Sequence, residues 1–198
     1  MPMKKFLTIS AAAVAAGLVL AGCSAGGGSM PGMNHGSSGM SSSSAVVGDH
    51  SGDDTMFAQS MIVHHTQAVD MSDMILAKQN IPATVTALAE KIKAAQGPEI
   101  TKMTTWLQNW NESATMAAGH TMSGMMSAED MTKLEQAQGV EAAKLFLTQM
   151  IAHHQGAVAM SKTEAAAGKN PEAVALAQSI VTSQEAEIQE MKDLLAGL

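Results

Sequence analysis

Two stretches of this chain repeat one another, and the repeat settles most of what the chain can fold into. Residues 61–71 read MIVHHTQAVDM and residues 150–160 read MIAHHQGAVAM. Met61, His64, His65, Ala68 and Met71 therefore recur 89 positions later as Met150, His153, His154, Ala157 and Met160. A second block recurs at an offset of 88, where Gln96, Glu99, Ile100, Met103 and Leu107 match Gln184, Glu187, Ile188, Met191 and Leu195. Each repeat then holds a helix with a His-His pair and a partner helix with Gln and Glu. Two such hairpins in tandem predict an all-α four-helix bundle.

Helix punctuation agrees. Asp53 or Asp54 can cap a first helix running to about Gln79, with Asn80 and Pro82 ending it. Pro82 can open a second helix to about Asn111, which Gly97-Pro98 should kink or break. Ser127 to Asp130 resembles a capping box for a short helix ending near Gly139. A further helix is expected from about 140 to Ala167, stopped by Gly168, and Pro171 opens the last. Strand signals are sparse, since the chain has no tyrosine and no alternating runs. The folded part is taken as 53–198, with repeat one at 54–112, a Met-rich crossover at 113–139 and repeat two at 140–198.

Ahead of the fold, Lys4 and Lys5, the apolar run Phe6 to Leu20 and the small residues before Cys23 form a secretory signal over 1–22. Leu20-Ala21-Gly22-Cys23 resembles the bacterial lipobox, which implies lipidation at Cys23 and a lipid anchor to the outer face of a bacterial membrane. Residues 23–52 are mostly Gly, Ser and Met, a composition that cannot bury enough apolar surface to fold, and are expected to form a flexible tether. Removing Lys4 and Lys5 leaves 9 cations against 18 acids, with no arginine anywhere. That balance argues against nucleic acid as a partner.

The chemistry lies on one stripe. Phe57, Met61, His64, Ala68, Met71 and Ile75 are spaced 4, 3, 4, 3, 4, the seam that faces a bundle interior. Phe146, Met150, His153, Ala157 and Met160 repeat it, so His64 and His153 are expected to point inward and His65 and His154 to sit at the stripe's edge. Ile92, Gln96, Glu99, Met103 and Trp106 face them from the second helix, as do Ile180, Gln184, Glu187, Met191 and Leu194 from the last. Buried polar groups need partners or a metal. Two explanations stand: a structural network in which Glu99 and Glu187 accept from the histidines, or a metal site of His and Met (Met103 and Met191 among them) in which Glu99, Glu187 and the glutamines bind the ion or hold its ligands.

Methionine bears on which metal. The chain has 18 methionines and one cysteine, and Met116, Met122, Met125, Met126 and Met131 crowd the crossover with His120, where the run Met122 to Met126 carries no helical stripe. Thioethers are soft, neutral ligands that suit Cu(I), while imidazole accepts Cu(I) or Cu(II); silver(I) is chemically close to Cu(I). Zinc has no need of methionine. Protons should compete for imidazole near its ordinary pKa of about 6.5. Met71, Met103, Met160 and Met191 also fit the seam as apolar filler. A ferritin-like di-metal oxidase is a rival, but its Glu-x-x-His motif is missing, because Met61 and Met150 stand where the carboxylates belong. A module without metal, its histidines structural and its methionines an adaptable surface, is another.

The pattern Met-Ile-x-His-His-Gln-Gly-Ala-x-x-Met at 150–160 resembles the signature of the bacterial "domain of unknown function 305" family. So do the paired Gln-x-x-Glu-Ile-x-x-Met motifs and the Met-Ser-Gly-Met-Met-Ser run, and the likeness covers roughly residues 54–197. It implies a ferritin-like bundle, often secreted, that binds copper and serves in copper resistance; taken with the Met/His sites, the role expected is copper buffering or transfer to a donor or acceptor protein. Carried onto this chain, it points to His64, His65, His153, His154, Met61, Met71, Met150, Met160 and the crossover residues. One departure stands out: Thr66-Gln67 replaces the Gln-Gly of the pattern, so the halves are expected to bind metal unequally.

Overall fold

A computed structural model describes residues 49–116 and 122–198. The expected signal segment with Cys23, the tether as far as residue 48, and His120 lie outside the described residues. Five helices and no strand are present among the described residues: α1 (Gly52–Leu76), α2 (Ala83–Trp110), α3 (Ala128–Gln136), α4 (Gly139–Ala167) and α5 (Pro171–Ala196). As the repeat predicts, α1 pairs with α2 and α4 with α5, and the two hairpins meet chiefly along α1 and α4.

The ends follow from capping chemistry. Ser51, ahead of the expected Asp53 or Asp54 by two or three positions, is the N-cap of α1; its hydroxyl accepts from the Asp54 N–H, and the Asp54 carboxylate accepts from the Ser51 N–H at 2.6 Å. Asp54 also accepts from the Lys169 and Asn170 N–H groups, which fastens the start of α1 to the α4–α5 turn. Asn80 and Asn111 take up positive φ at the turns after α1 and α2, a conformation asparagine tolerates.

The break offered as one outcome at Gly97-Pro98 does not occur. The helix runs unbroken through Gly97-Pro98. A residue before proline normally leaves the helical region because its Cβ meets the proline ring, but Gly97 has no Cβ, and only one backbone bond is lost.

The core is in two parts. Ala68, Met71 and Ile75 pack with Val85, Leu88, Ile92, Phe146, Met150 and Met191. Phe57 and Met61 pack with Met103, Trp106, Leu107, Ala157, Ala177 and Ile180. Between these apolar clusters lies a layer of polar side chains.

Candidate metal centre

That layer consists of His64, His65, His153 and His154 with Gln96, Gln184 and Glu187, all buried, and the half-buried Glu99. His65 and His154 are as buried as the other two histidines, so they do not lie at the stripe's edge. A bundle packs closely enough that a residue one step off the seam is still covered by the neighbouring helix.

The four imidazoles divide into two kinds. His65 Nε2 donates to Glu99 at 2.7 Å, and His154 Nε2 donates to Glu187 at 2.9 Å. Each pair joins the two helices of one hairpin. His64 and His153 instead face one another between the hairpins, with ring centroids 3.7 Å apart and planes tilted by 38°. Equivalent residues of the two repeats thus meet face to face, as they do about a pseudo-twofold axis running between α1 and α4.

The free lone pairs can be assigned. His64 Nε2 lies 3.2 Å from the Ser123 carbonyl, which can only accept, so Nε2 carries the proton and Nδ1 the lone pair. That Nδ1 and both ring nitrogens of His153 have no hydrogen-bond partner among the described residues. Burial, aided by the neighbouring imidazoles, lowers His64 to about 3 and His153 to about 2. Both rings are therefore neutral at neutral pH, the form that binds metal, and proton competition moves far below the ordinary histidine range. Burial also pushes His154 down, against the raising effect of the Glu187 carboxylate.

The crossover roofs this layer. A Cβ on Gly156 would lie 2.0 Å from the Ser123 carbonyl oxygen, so the loop touches α4 backbone to backbone, and Gly124, at φ +83°, lies against the backbone of Ala152, His153 and Gly156. At the matching position of α1, the Gln67 side chain donates to the Met126 carbonyl at 3.0 Å and accepts from its N–H at 2.7 Å. The Gln-for-Gly departure is thereby explained. A single crossover docks on both repeats, needing room on one and an anchor on the other. The sequence had marked Gly156 and Gln67 as unlike but gave no sign that they hold the same loop.

The methionine candidates scatter. Met61, Met71, Met103, Met150 and Met191 are fully buried in the two apolar clusters, Met61 and Met150 one turn before the facing histidines. Met126 packs at the edge of one cluster, Met125 is half-buried, and Met122 and Met160 line a cavity beside the layer. Among the described residues no three His, Cys, Asp or Glu side chains converge on one point. What the layer presents is unpartnered imidazole nitrogens, on the facing His64 and His153 and at Nδ1 of His65 and His154, that do not gather three to a point, with thioethers nearby; this suits a soft ion of low coordination number better than a four-coordinate zinc.

The profile of the family described as "Domain of unknown function (DUF305)" matches residues 54–195. A DUF305 protein from Streptomyces coelicolor, described as a candidate secreted protein, is similar in structure, with TM-score 0.70, 34% identity, and coverage of 73% of this chain and 91% of that one. A DUF305 fragment from Deinococcus radiodurans has TM-score 0.69 and 31% identity, covering 75% and 99%. CopM in its Cu(I)-bound form has TM-score 0.62 and 35% identity, covering 73% and 96%; it has also been solved in Cu(II)-bound and Ag-bound forms. No curated protein matches the chain.

Proposed function

The chain belongs to the DUF305 family, and on that premise we propose that it is a copper-binding protein of the extracytoplasmic space. Copper would be its cargo, taken as Cu(I) or Cu(II), with silver(I) an effective mimic. The observation that carries this reading is the facing pair His64 and His153: two buried, neutral imidazoles brought together by the repeat, with lone pairs that nothing in the protein uses. A polar pair in an apolar core costs stability, and a bound ion is the natural compensation. Likeness to CopM, a protein solved with copper and with silver, supports the choice of metal.

Glu99 and Glu187 then act through His65 and His154, holding those rings and placing negative charge next to the layer. The lipobox-like Cys23 supports attachment to the membrane by lipid, and the tether would let the domain reach a copper donor or acceptor protein there. Buffering or transfer of copper, rather than turnover of a substrate, is the role that fits.

The test is anaerobic Cu(I) titration of the whole chain against a competing chelator, beside the H64L/H153L variant. Loss of one Cu(I) equivalent, or at least a tenfold weakening (about 1.4 kcal/mol), is expected. Unchanged binding would overturn the assignment of the pair.

A further inference from the structure

Next to the imidazole layer, a cavity of about 320 Å3 lies between the start of α1, the end of α4 and the crossover. Four of the side chains lining it are thioethers, Met56, Met116, Met122 and Met160. They arrive from three separate parts of the chain, and only Met160 belongs to the repeated seam. Methionines that serve as filler close space, whereas these surround it.

Two details distinguish this cavity from a packing defect. Met116 is held in place by Ser60, whose hydroxyl donates to the thioether sulfur at 3.2 Å and leaves that sulfur's second lone pair free. The wall also carries Glu164, only 2% exposed, and neither of its oxygens accepts a hydrogen bond from any N–H or O–H among the described residues. Its neighbour is the Asp54 carboxyl, so two acidic groups stand together behind the wall with one proton between them, and a cation bound beside them relieves that crowding.

The geometry points to a second binding site here: a thioether pocket for a soft monovalent cation, Cu(I) or Ag(I), with the Glu164 carboxyl in its wall. This deepens the copper reading and rests on it for the identity of the metal. Neutral sulfur donors favour Cu(I) and Ag(I) over Cu(II) or zinc, so the pocket selects oxidation state where the imidazoles do not. Met56, 44% exposed, sets the mouth of the pocket at the surface. Ser123 lines the pocket and also gives its carbonyl to His64, so a single residue separates pocket from pair. An ion entering beside Met56 is therefore captured by sulfur before it reaches nitrogen.

Silver(I), which needs no reductant, is the probe. Equilibrium dialysis of the full chain in chloride-free buffer would count bound Ag(I) for the wild type, for M56L/M116L/M122L/M160L and for H64L/H153L, with circular dichroism to check folding. Met-to-Leu exchange nearly conserves volume, so the fold is expected to survive. The methionine variant should lose one equivalent and keep that of the imidazoles, and the histidine variant should do the reverse. No loss in the methionine variant overturns the pocket but leaves the imidazole pair standing. No loss in the histidine variant overturns the pair but not the pocket. Should the fourfold variant not fold, M122L/M160L carries the test: one equivalent bound at least tenfold more weakly is the expected result, and unaltered binding refutes the pocket.

Discussion

Four histidines in one layer do unequal work, and single substitutions should separate them. His154 satisfies Glu187, which is 6% exposed, so H154L would leave that buried carboxylate only its 3.7 Å ion pair with the exposed Lys91 and cost about 1–3 kcal/mol. His153 satisfies nothing, so H153L replaces two unpaired nitrogens with apolar surface and should leave the apoprotein's stability unchanged or raise it. Urea unfolding of the two metal-free variants would show the contrast; equal losses would mean that His153 has a structural role. The inward direction of His64 and His153 was legible from the 4, 3, 4 spacing. Their approach to one another was not, because periodicity gives each helix a face but does not say which residue lies opposite on the other repeat. Met56 escaped notice for the same reason: it does not lie on the repeated seam, and only folding brings it to one cavity with Met116 and Met122 of the crossover.

Elements tell a similar story. The helices were readable because caps, prolines and glycines mark their ends, and the hairpin order followed from the duplication. The docking of the crossover was not readable, since it depends on contacts between Gly156, Gly124 and Gln67 that no local pattern encodes. Gly156→Ala should therefore act well beyond its size. Its methyl would meet the Ser123 carbonyl, and the backbone there cannot yield cheaply, so a loss of about 1–3 kcal/mol is expected. The crossover would also come away from α4, removing the carbonyl that sets the His64 tautomer. Hydrogen exchange over residues 122–126 measures this directly, and protection equal to the wild type would refute it.

At the scale of the whole molecule, buried titrating groups bound stability on both sides. The unfolded chain takes up protons on His64 and His153 below pH 6.5, which the folded chain refuses until about 3 and about 2. Stability is thus complete above pH 6.5 and falls as pH drops, by about 1.4 kcal/mol per pH unit for each imidazole. Glu164 works in the opposite sense. Burial, with the nearby Asp54 carboxylate, raises it from 4.5 to about 8, so its contribution is complete below 4.5 and is lost as pH rises through 8. The Asp54 carboxyl, pushed up by burial, is held at about 2 by hydrogen bonds from Ser51 and the Asn170 N–H, and does not titrate in this range. A maximum close to pH 6.5 follows, and chemical denaturation from pH 4 to 9 checks it. H153L should flatten the acidic limb alone; a limb as steep as the wild type's would remove His153 as its cause.

The pseudo-twofold axis between α1 and α4 has one more consequence. A site shared across such an axis usually belongs to two separate polypeptides, and it empties when they are diluted apart. Here a covalent linker joins both halves, so whatever the facing rings hold is kept as firmly in a sparse population of molecules as in a crowded one.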